Sequence, residues 1–478
     1  VIEKHRFRGR LSAFVAVVLA TGTMATAILL AEARIGQATV SGVMSTTGSP
    51  KLVPRGDCPT DADFACYTLT VPLDHSGRVD GTLDLQVAAA KNVDAPRGVL
   101  LMLNGGPGQP SEMFVGALAD RTPALNAFYR WVSIDQRGTG ANALKCPKLQ
   151  QEYRSSDIVA PSREAVRACG ELLGANRQFY RTEDTLADLE LLRRALGVQK
   201  MSLNGLSYGT RTAALYALAR PGNVNMVVLD SPMPFADPER DDTLNLAPMR
   251  AHRQVLRAAC AAVSGCDWDP VKDLAWLVRQ RGDGVKLLDL MVAGGFADPN
   301  YSRIIKAMHA ARQGNPADLN KLLANLADGQ PMPYEWFSWG LSNATFCADM
   351  RFPWGDAATP LMQRPAPLER ATRRLRPEDT YPYDRATATR QGFVWRCLMW
   401  PVSRPSKEPP ANAKIQVPTL LLHGDRDLST PREWADEVAE RALQRKLVVS
   451  PGSPHIVQLM EPSTRGRDAM VAFLTQPR

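Results

Sequence analysis

Short apolar or alternating runs recur along the chain at about 67–73, 83–90, 98–104, 131–135, 200–204, 226–230, 418–423 and 446–450. Each has the length of a strand. The segment "TLADLELLRRALG" between two of them carries Leu186, Leu189, Leu192 and Leu196 on one helical stripe, and Gly197 closes it. Strands alternating with helices predict an α/β protein with a mostly parallel sheet covered on both faces. The first two runs are joined by "DHSGRVDG" (74–81) and should form an antiparallel hairpin. From Asp230 to Val417 no parallel strand is visible. That stretch is helix-like and Trp-rich, with "YEWFSWG" (334–340) and "WRCLMW" (395–400). It reads as a large helical cap, 233–400, inserted after the sixth strand. The proline-rich "PVSRPSKEPPAN" (401–412) returns the chain to the core. The expected core is thus 58–232 plus 413–478, with a linker over 34–57. There is no internal repeat.

One strand end carries chemistry. Gly205-Leu206-Ser207-Tyr208-Gly209 follows the run Met201–Leu203 and precedes "TRTAALYALARPG", a helix with a Pro-Gly stop. Strand, tight turn and helix are the context of a nucleophile elbow. The glycines keep side chains out of a crowded corner, and Ser207 is pushed above the sheet edge. The N–H of Tyr208 then points where an oxyanion would form. A second glycine cluster, Asn104-Gly105-Gly106-Pro107-Gly108, leaves the strand at 98–104. Taken alone it is a tight turn. Paired with the elbow, its bare backbone at Gly105 or Gly106 offers the second oxyanion donor.

The base and acid should lie later in the chain, in the order Ser, acid, His. Of six histidines, His5 and His75 come too early. His252 and His309 lie in charged helical stretches and read as surface residues. His423 ends a strand. His455, in "SPGSPHIV" after the strand "KLVVS", has the loop position that a base needs. Asp427 in "HGDRDLSTP" is the favoured acid, with Asp425 read as a turn residue. Asp230, at the end of "VVLDSP", is the alternative acid. Ser207 would attack a carbonyl, His455 would shuttle the proton, and Asp427 would hold the imidazole tautomer. No metal or cofactor is implied: H-E-x-x-H and C-x-x-C are both absent and the histidines are scattered.

The segments "CYTLTVPLDH" (66–75), "NGGPG" (104–108), "WVSIDQRGTG" (131–140), "GLSYGTR" (205–211), "LLHGDRDLSTP" (421–431) and "GSPHIV" (452–457) stand in an order that resembles the secreted α/β-hydrolase exopeptidases, tripeptidyl aminopeptidases and proline iminopeptidases among them. The stretch from about 395 resembles their tripeptidyl-aminopeptidase-type C-terminal region. The resemblance implies an α/β-hydrolase fold and the same triad, Ser207, Asp427 and His455. Asn104 stands where many members have His.

Composition sets the compartment. The first ten residues are basic, residues 11–31 are uncharged, and small residues follow at Ala25-Thr26-Ala27 and Ala31-Glu32-Ala33. This reads as an export signal over 1–33, with an uncleaved membrane anchor as the rival. All eight cysteines come later, at 58, 66, 146, 169, 260, 266, 347 and 397. An even number in an exported chain implies disulfides. Local spacing and the family resemblance favour the pairs Cys58–Cys66, Cys146–Cys169, Cys260–Cys266 and Cys347–Cys397. A secreted, periplasmic or cell-envelope protein is expected. The net charge of +8 is spread thinly, which argues against nucleic acid as a partner. Membrane contact is expected only through the N-terminal segment.

The leading function is a serine exopeptidase acting on the N-termini of short peptides. A carboxylesterase or lipase would use the same triad, and a non-catalytic binding module would lack a triad member. A cap suits an exopeptidase because it excludes long chains. A free α-ammonium also needs an acidic partner. Glu335 and Asp349 are the cap acids singled out for that task.

Overall fold

The computed structural model describes residues 49–235 and 243–477. The expected export signal at 1–33 lies outside them. Nine strands form one sheet: β1 Leu52–Cys58, β2 Asp61–Pro72, β3 Thr82–Ala90, β4 Val99–Leu103, β5 Arg130–Ile134, β6 Met201–Leu206, β7 Val224–Asp230, β8 Thr419–Gly424 and β9 Arg445–Ser450. Their order across the sheet is β1-β2-β3-β5-β4-β6-β7-β8-β9. The first three strands and the β3–β5 pair are antiparallel, and the rest are parallel. β4, β6 and β8 are buried at every position. Their side chains have nowhere polar to point, because helices cover both faces. One face packs residues such as Leu101, Leu189 and Tyr216, the other Leu100, Trp131 and Phe473.

The eight expected strands are all present, and the 74–81 turn joins an antiparallel pair as anticipated. One correction concerns the N-terminal side. Residues 52–57, assigned to a linker over 34–57, form β1 together with Cys58 and pair with β2. The strand before the long insertion is therefore seventh in chain order rather than sixth. Between β7 and β8 the described residues form helices, from Ala247–Ala262 to Gly392–Met399, with isolated bridges between Phe352 and Gly355 and from Ile415 to Ala442. Trp339, Trp354 and Trp400 are buried in the core of this insertion. The proline-rich return segment is pinned down: Ser406 N–H donates to the Ala348 carbonyl, and Arg441 holds the carbonyls of Pro410 and Ala413.

All four cysteine pairs form as expected: Cys58–Cys66, Cys146–Cys169, Cys260–Cys266 and Cys347–Cys397. Four disulfides suit an oxidising compartment outside the cytoplasm.

Candidate active site

β6 ends at Leu206 and the helix Tyr208–Ala219 begins two residues later, so Ser207 alone must turn the chain. It does so at φ 53° and ψ −124°, a conformation that L-residues rarely adopt. The surroundings hold it there. Ser207 N–H donates to the Asp230 carbonyl at 2.9 Å, and Thr210 Oγ1 donates back to the Ser207 carbonyl at 2.5 Å. The flanking glycines are a steric requirement. A Cβ on Gly205 would lie 2.5 Å from the Gly209 carbonyl oxygen, and one on Gly209 would lie 2.2 Å from that of Leu103.

The loop after β4 comes up against the serine. A Cβ on Gly105 would lie 2.9 Å from that of Ser207. Asn104 braces the loop: its Nδ2 donates to the Pro110 carbonyl at 2.8 Å, and its Oδ1 accepts the Gly105 N–H at 3.0 Å. Between the two candidate glycine donors, Gly106 is thus the one whose N–H has no partner among the described residues. The Tyr208 N–H, at the first turn of its helix, is an orphan donor by construction.

His455 Nδ1 lies 2.8 Å from Asp427 Oδ2 and 3.2 Å from Thr430 Oγ1. Asp427 also accepts the N–H groups of Ser429 and Thr430, each at 2.8 Å. Burial raises the Asp427 carboxyl, but the charge and hydrogen bond of His455 outweigh it and bring it down to about 2. The reverse holds for His455. Burial lowers it, and Asp427 lifts it above its ordinary value, with smaller help from Asp230 and Asp157. The loop after His455 is anchored by Asp230, whose carboxylate accepts the N–H of Val457 at 2.9 Å and of Gln458 at 2.8 Å. Asp230, the alternative acid, thus supports the loop that carries His455, the candidate base. Asp425 accepts the Gly452 N–H at 2.7 Å, in keeping with a turn residue.

Ser207, His455, Gly105 and Gly106 line one cavity of about 730 Å³. Phe114, Phe296, Trp336, Phe337 and Leu326 supply much of its apolar wall. Three acids line it as well, Glu152, Asp157 and Asp289. Asp289 is buried, and its Oδ1 accepts from Ser156 Oγ at 2.6 Å. Burial raises its carboxyl to about 6, and the charge of Asp157 adds to the rise. Asp157 is also raised by burial, against the pull of Arg396. Arg396 sits behind, stacked on Phe346 at 4.1 Å and Phe393 at 5.0 Å. Arg154 and the more exposed Lys286 complete the charged lining with Glu152, which is held by Ser162.

Asp157 and Asp289 were not singled out by sequence, and the acids that were do not reach the cavity. Glu335 is exposed in a turn, while its neighbours Trp336 and Phe337 take the wall. Asp349 is fully buried, and its carboxylate accepts from Tyr208, Thr182 and Ser406. His252 is a further correction. It is buried rather than on the surface, its Nδ1 bonds the Pro248 carbonyl at 2.8 Å, and burial lowers it to about 4. His309 is half-buried, paired with Asp273 at 2.8 Å and stacked on Trp268.

Residues 98–284 match the family model described as alpha/beta hydrolase fold, and residues 381–478 match that of TAP-like protein. The chain is an α/β hydrolase with a TAP-like C-terminal region. Tripeptidyl aminopeptidase of Streptomyces lividans is 28% identical over 211 residues, which cover 39% of this chain and 38% of that protein. This hydrolase therefore aligns with well under half of that relative. Serine protease Hip1 of Mycobacterium tuberculosis is 25% identical over 485 residues, covering 90% of this chain and 87% of its own. The putative hydrolase YuaR of Escherichia coli is 25% identical over 223 residues, covering 43% and 44%.

Proposed function

We propose that this hydrolase is a serine exopeptidase that releases N-terminal residues or tripeptides from short peptides through an acyl-enzyme. The observation that carries the reading is the pair of desolvated carboxylates, Asp157 and Asp289, in the same cavity as Ser207 and His455. Arg396 acts on Asp157 through its charge, but neither Asp157 nor Asp289 makes an ion pair among the described residues. A substrate ammonium supplies the missing cation. The peptidase names of two relatives point the same way.

His455 accepts the Ser207 hydroxyl proton as Oγ attacks the carbonyl carbon. Asp427, ionised, keeps the imidazole in the tautomer with Nδ1–H and stabilises the imidazolium. The oxyanion is held by the N–H of Tyr208 and by that of Gly106, since the Gly105 N–H is taken by Asn104; each donor lowers the barrier by about 3 kcal/mol. His455 then protonates the departing amine, and water, deprotonated by the same imidazole, releases the acyl group. The apolar walls exclude bulk water and accept apolar side chains. Short peptides are the proposed partners, in a secreted or envelope compartment.

The test is a hydrolysis panel of aminoacyl, prolyl and tripeptidyl amides, their N-acetylated forms, and esters, with Ser207→Ala as control. Cleavage confined to free-amine peptides supports the reading. Turnover of esters alone, indifferent to acetylation, would replace it with an esterase.

A further inference from the structure

Asp349 lies outside the cavity, yet it connects directly to the elbow. Its Oδ2 accepts from the phenol of Tyr208, the residue next to the nucleophile. Thr182 joins them: its hydroxyl lies 2.6 Å from the Tyr208 oxygen and also donates to Asp349 Oδ2, while its N–H reaches Oδ1 at 3.3 Å. Ser406 donates to Oδ1 from the return segment. Arg211, one turn beyond Tyr208, stands 3.7 Å from Oδ2 and is ion-paired to Glu408. Tyr208, Arg211 and Asp349 are all at most 1% exposed. Burial first, and then the Asp349 charge, hold the phenol pKa far above its usual value, so it stays a donor.

The arrangement is more than is needed to bury a tyrosine. The Ser207–Tyr208 peptide carries the candidate oxyanion N–H, and it follows a strained residue at φ 53°. Strain of that kind persists only where the surroundings over-determine it. Only two side-chain torsions separate the Tyr208 backbone from its phenol, so fixing the far end of the ring restricts the near end. The fixing carboxylate comes from the helix Trp339–Asp349, within the insertion between β7 and β8. Cys347, two residues before it, is bonded to Cys397.

We propose that Asp349 is a positioning residue: through the Tyr208 phenol it holds the Tyr208 N–H at the oxyanion position, so that the helical insertion tunes the chemical step as well as covering the site. This rests on the assignment of Ser207 and Tyr208 above, and not on the identity of the substrate.

The test is Tyr208→Phe, which removes one hydroxyl and leaves Asp349 paired with Thr182, Ser406 and Arg211. Tyr129→Phe is the matched control. Tyr129 is equally buried, and its hydroxyl makes a single bond among the described residues, 2.9 Å to the Leu474 carbonyl, within the other face of the core. Three quantities are measured: kcat and KM on the best substrate, the rate of Ser207 labelling by a phosphonate, and Tm. A donor displaced by a fraction of an ångström should lower kcat and the labelling rate roughly ten- to a hundredfold, with KM within about twofold. Tyr129→Phe should lose similar Tm and keep both rates. The proposal is overturned if Tyr208→Phe keeps both rates within about twofold of the parent, or if the two variants lose rate alike. The peptidase reading fails separately: an enzyme that turns over only esters still allows the same comparison on an ester.

Discussion

His455 and Asp427 face each other across 2.8 Å, Nδ1 to Oδ2, and the hydroxyl of Thr430 bridges their edge, 2.7 Å from Oδ2. The carboxylate is ionised at any working pH, since His455 holds it at about 2. Asp427→Asn should keep the fold and present the wrong tautomer, lowering kcat on the order of 10⁴-fold. The same exchange at Asp230 touches only the anchor of the loop and should cost far less. Stopped-time assays of both variants decide between them. A larger loss at Asp230 would make that residue the acid.

Asp289 should set the preference for a free amine. Asp289→Asn keeps an acceptor for Ser156 and removes the charge. KM for free-amine peptides should rise on the order of thirtyfold, the cost of unpairing a buried ammonium, with little change for esters. The same variant should be the more stable protein. The Asp289 pKa is raised from 3.8 to about 6 in the fold. Ionising it is therefore a cost borne above pH 6 and absent below 3.8, on the order of 3 kcal/mol at full effect. Thermal melts at pH 8 and pH 4 should show a gain in Tm at the first and almost none at the second. An unchanged KM together with an unchanged Tm at pH 8 would remove Asp289 from the site.

How far the sequence reached depends on whether a feature is local. The elbow was legible because its two glycines answer to contacts within a few residues or with the adjacent strand β4. Asp427 and His455 were legible because each follows a strand that announces itself. β1 was not: "LVPRGDC" has no alternation, its middle is exposed, and only pairing with β2 makes it a strand. Asp157 and Asp289 lie more than a hundred positions apart, and their shared cavity exists only after folding. Glu335 has aromatic neighbours in the sequence, but in a turn adjacent side chains diverge, and only Trp336 and Phe337 reach the cavity. The burial of His252 did carry a signal. Val255 and Leu256 follow it at the spacing of one helical face, and both are buried.

The pH profile should separate the base from the anchor. His455 must be neutral to accept a proton, and its pKa is held above the ordinary 6.5 by Asp427. Hence kcat should rise with pH and level off above neutrality for every substrate. Asp289 must be charged to hold an ammonium, so KM for free-amine peptides alone should rise as pH falls through about 6. It should rise again above about pH 8, where the substrate amine loses its proton. Ester substrates should show the kcat limb and neither KM limb. A KM for esters that tracks the peptide curve would count against Asp289 as the anchor.

The disulfides should be unequal in worth. Cys347–Cys397 closes a separation of 50 residues, and Cys260–Cys266 one of 6. If a crosslink acts by restricting the unfolded chain, the first is worth about 4 kcal/mol and the second about 2 kcal/mol. They also differ in what they touch. Cys347 shares a helix turn with Asp349, so cutting its bond frees the helix that tethers Tyr208. Cys260 lies in the last turn of the helix Ala247–Ala262, which supplies none of the bonds of that network. Replacing each pair by alanine should therefore lower the denaturation midpoint about twice as much at 347/397, and should lower kcat only there. Equal losses of midpoint would show that the folded state, rather than the unfolded chain, sets the contribution of both. An unchanged kcat in a folded 347/397 variant would show that Asp349 keeps its place without the crosslink.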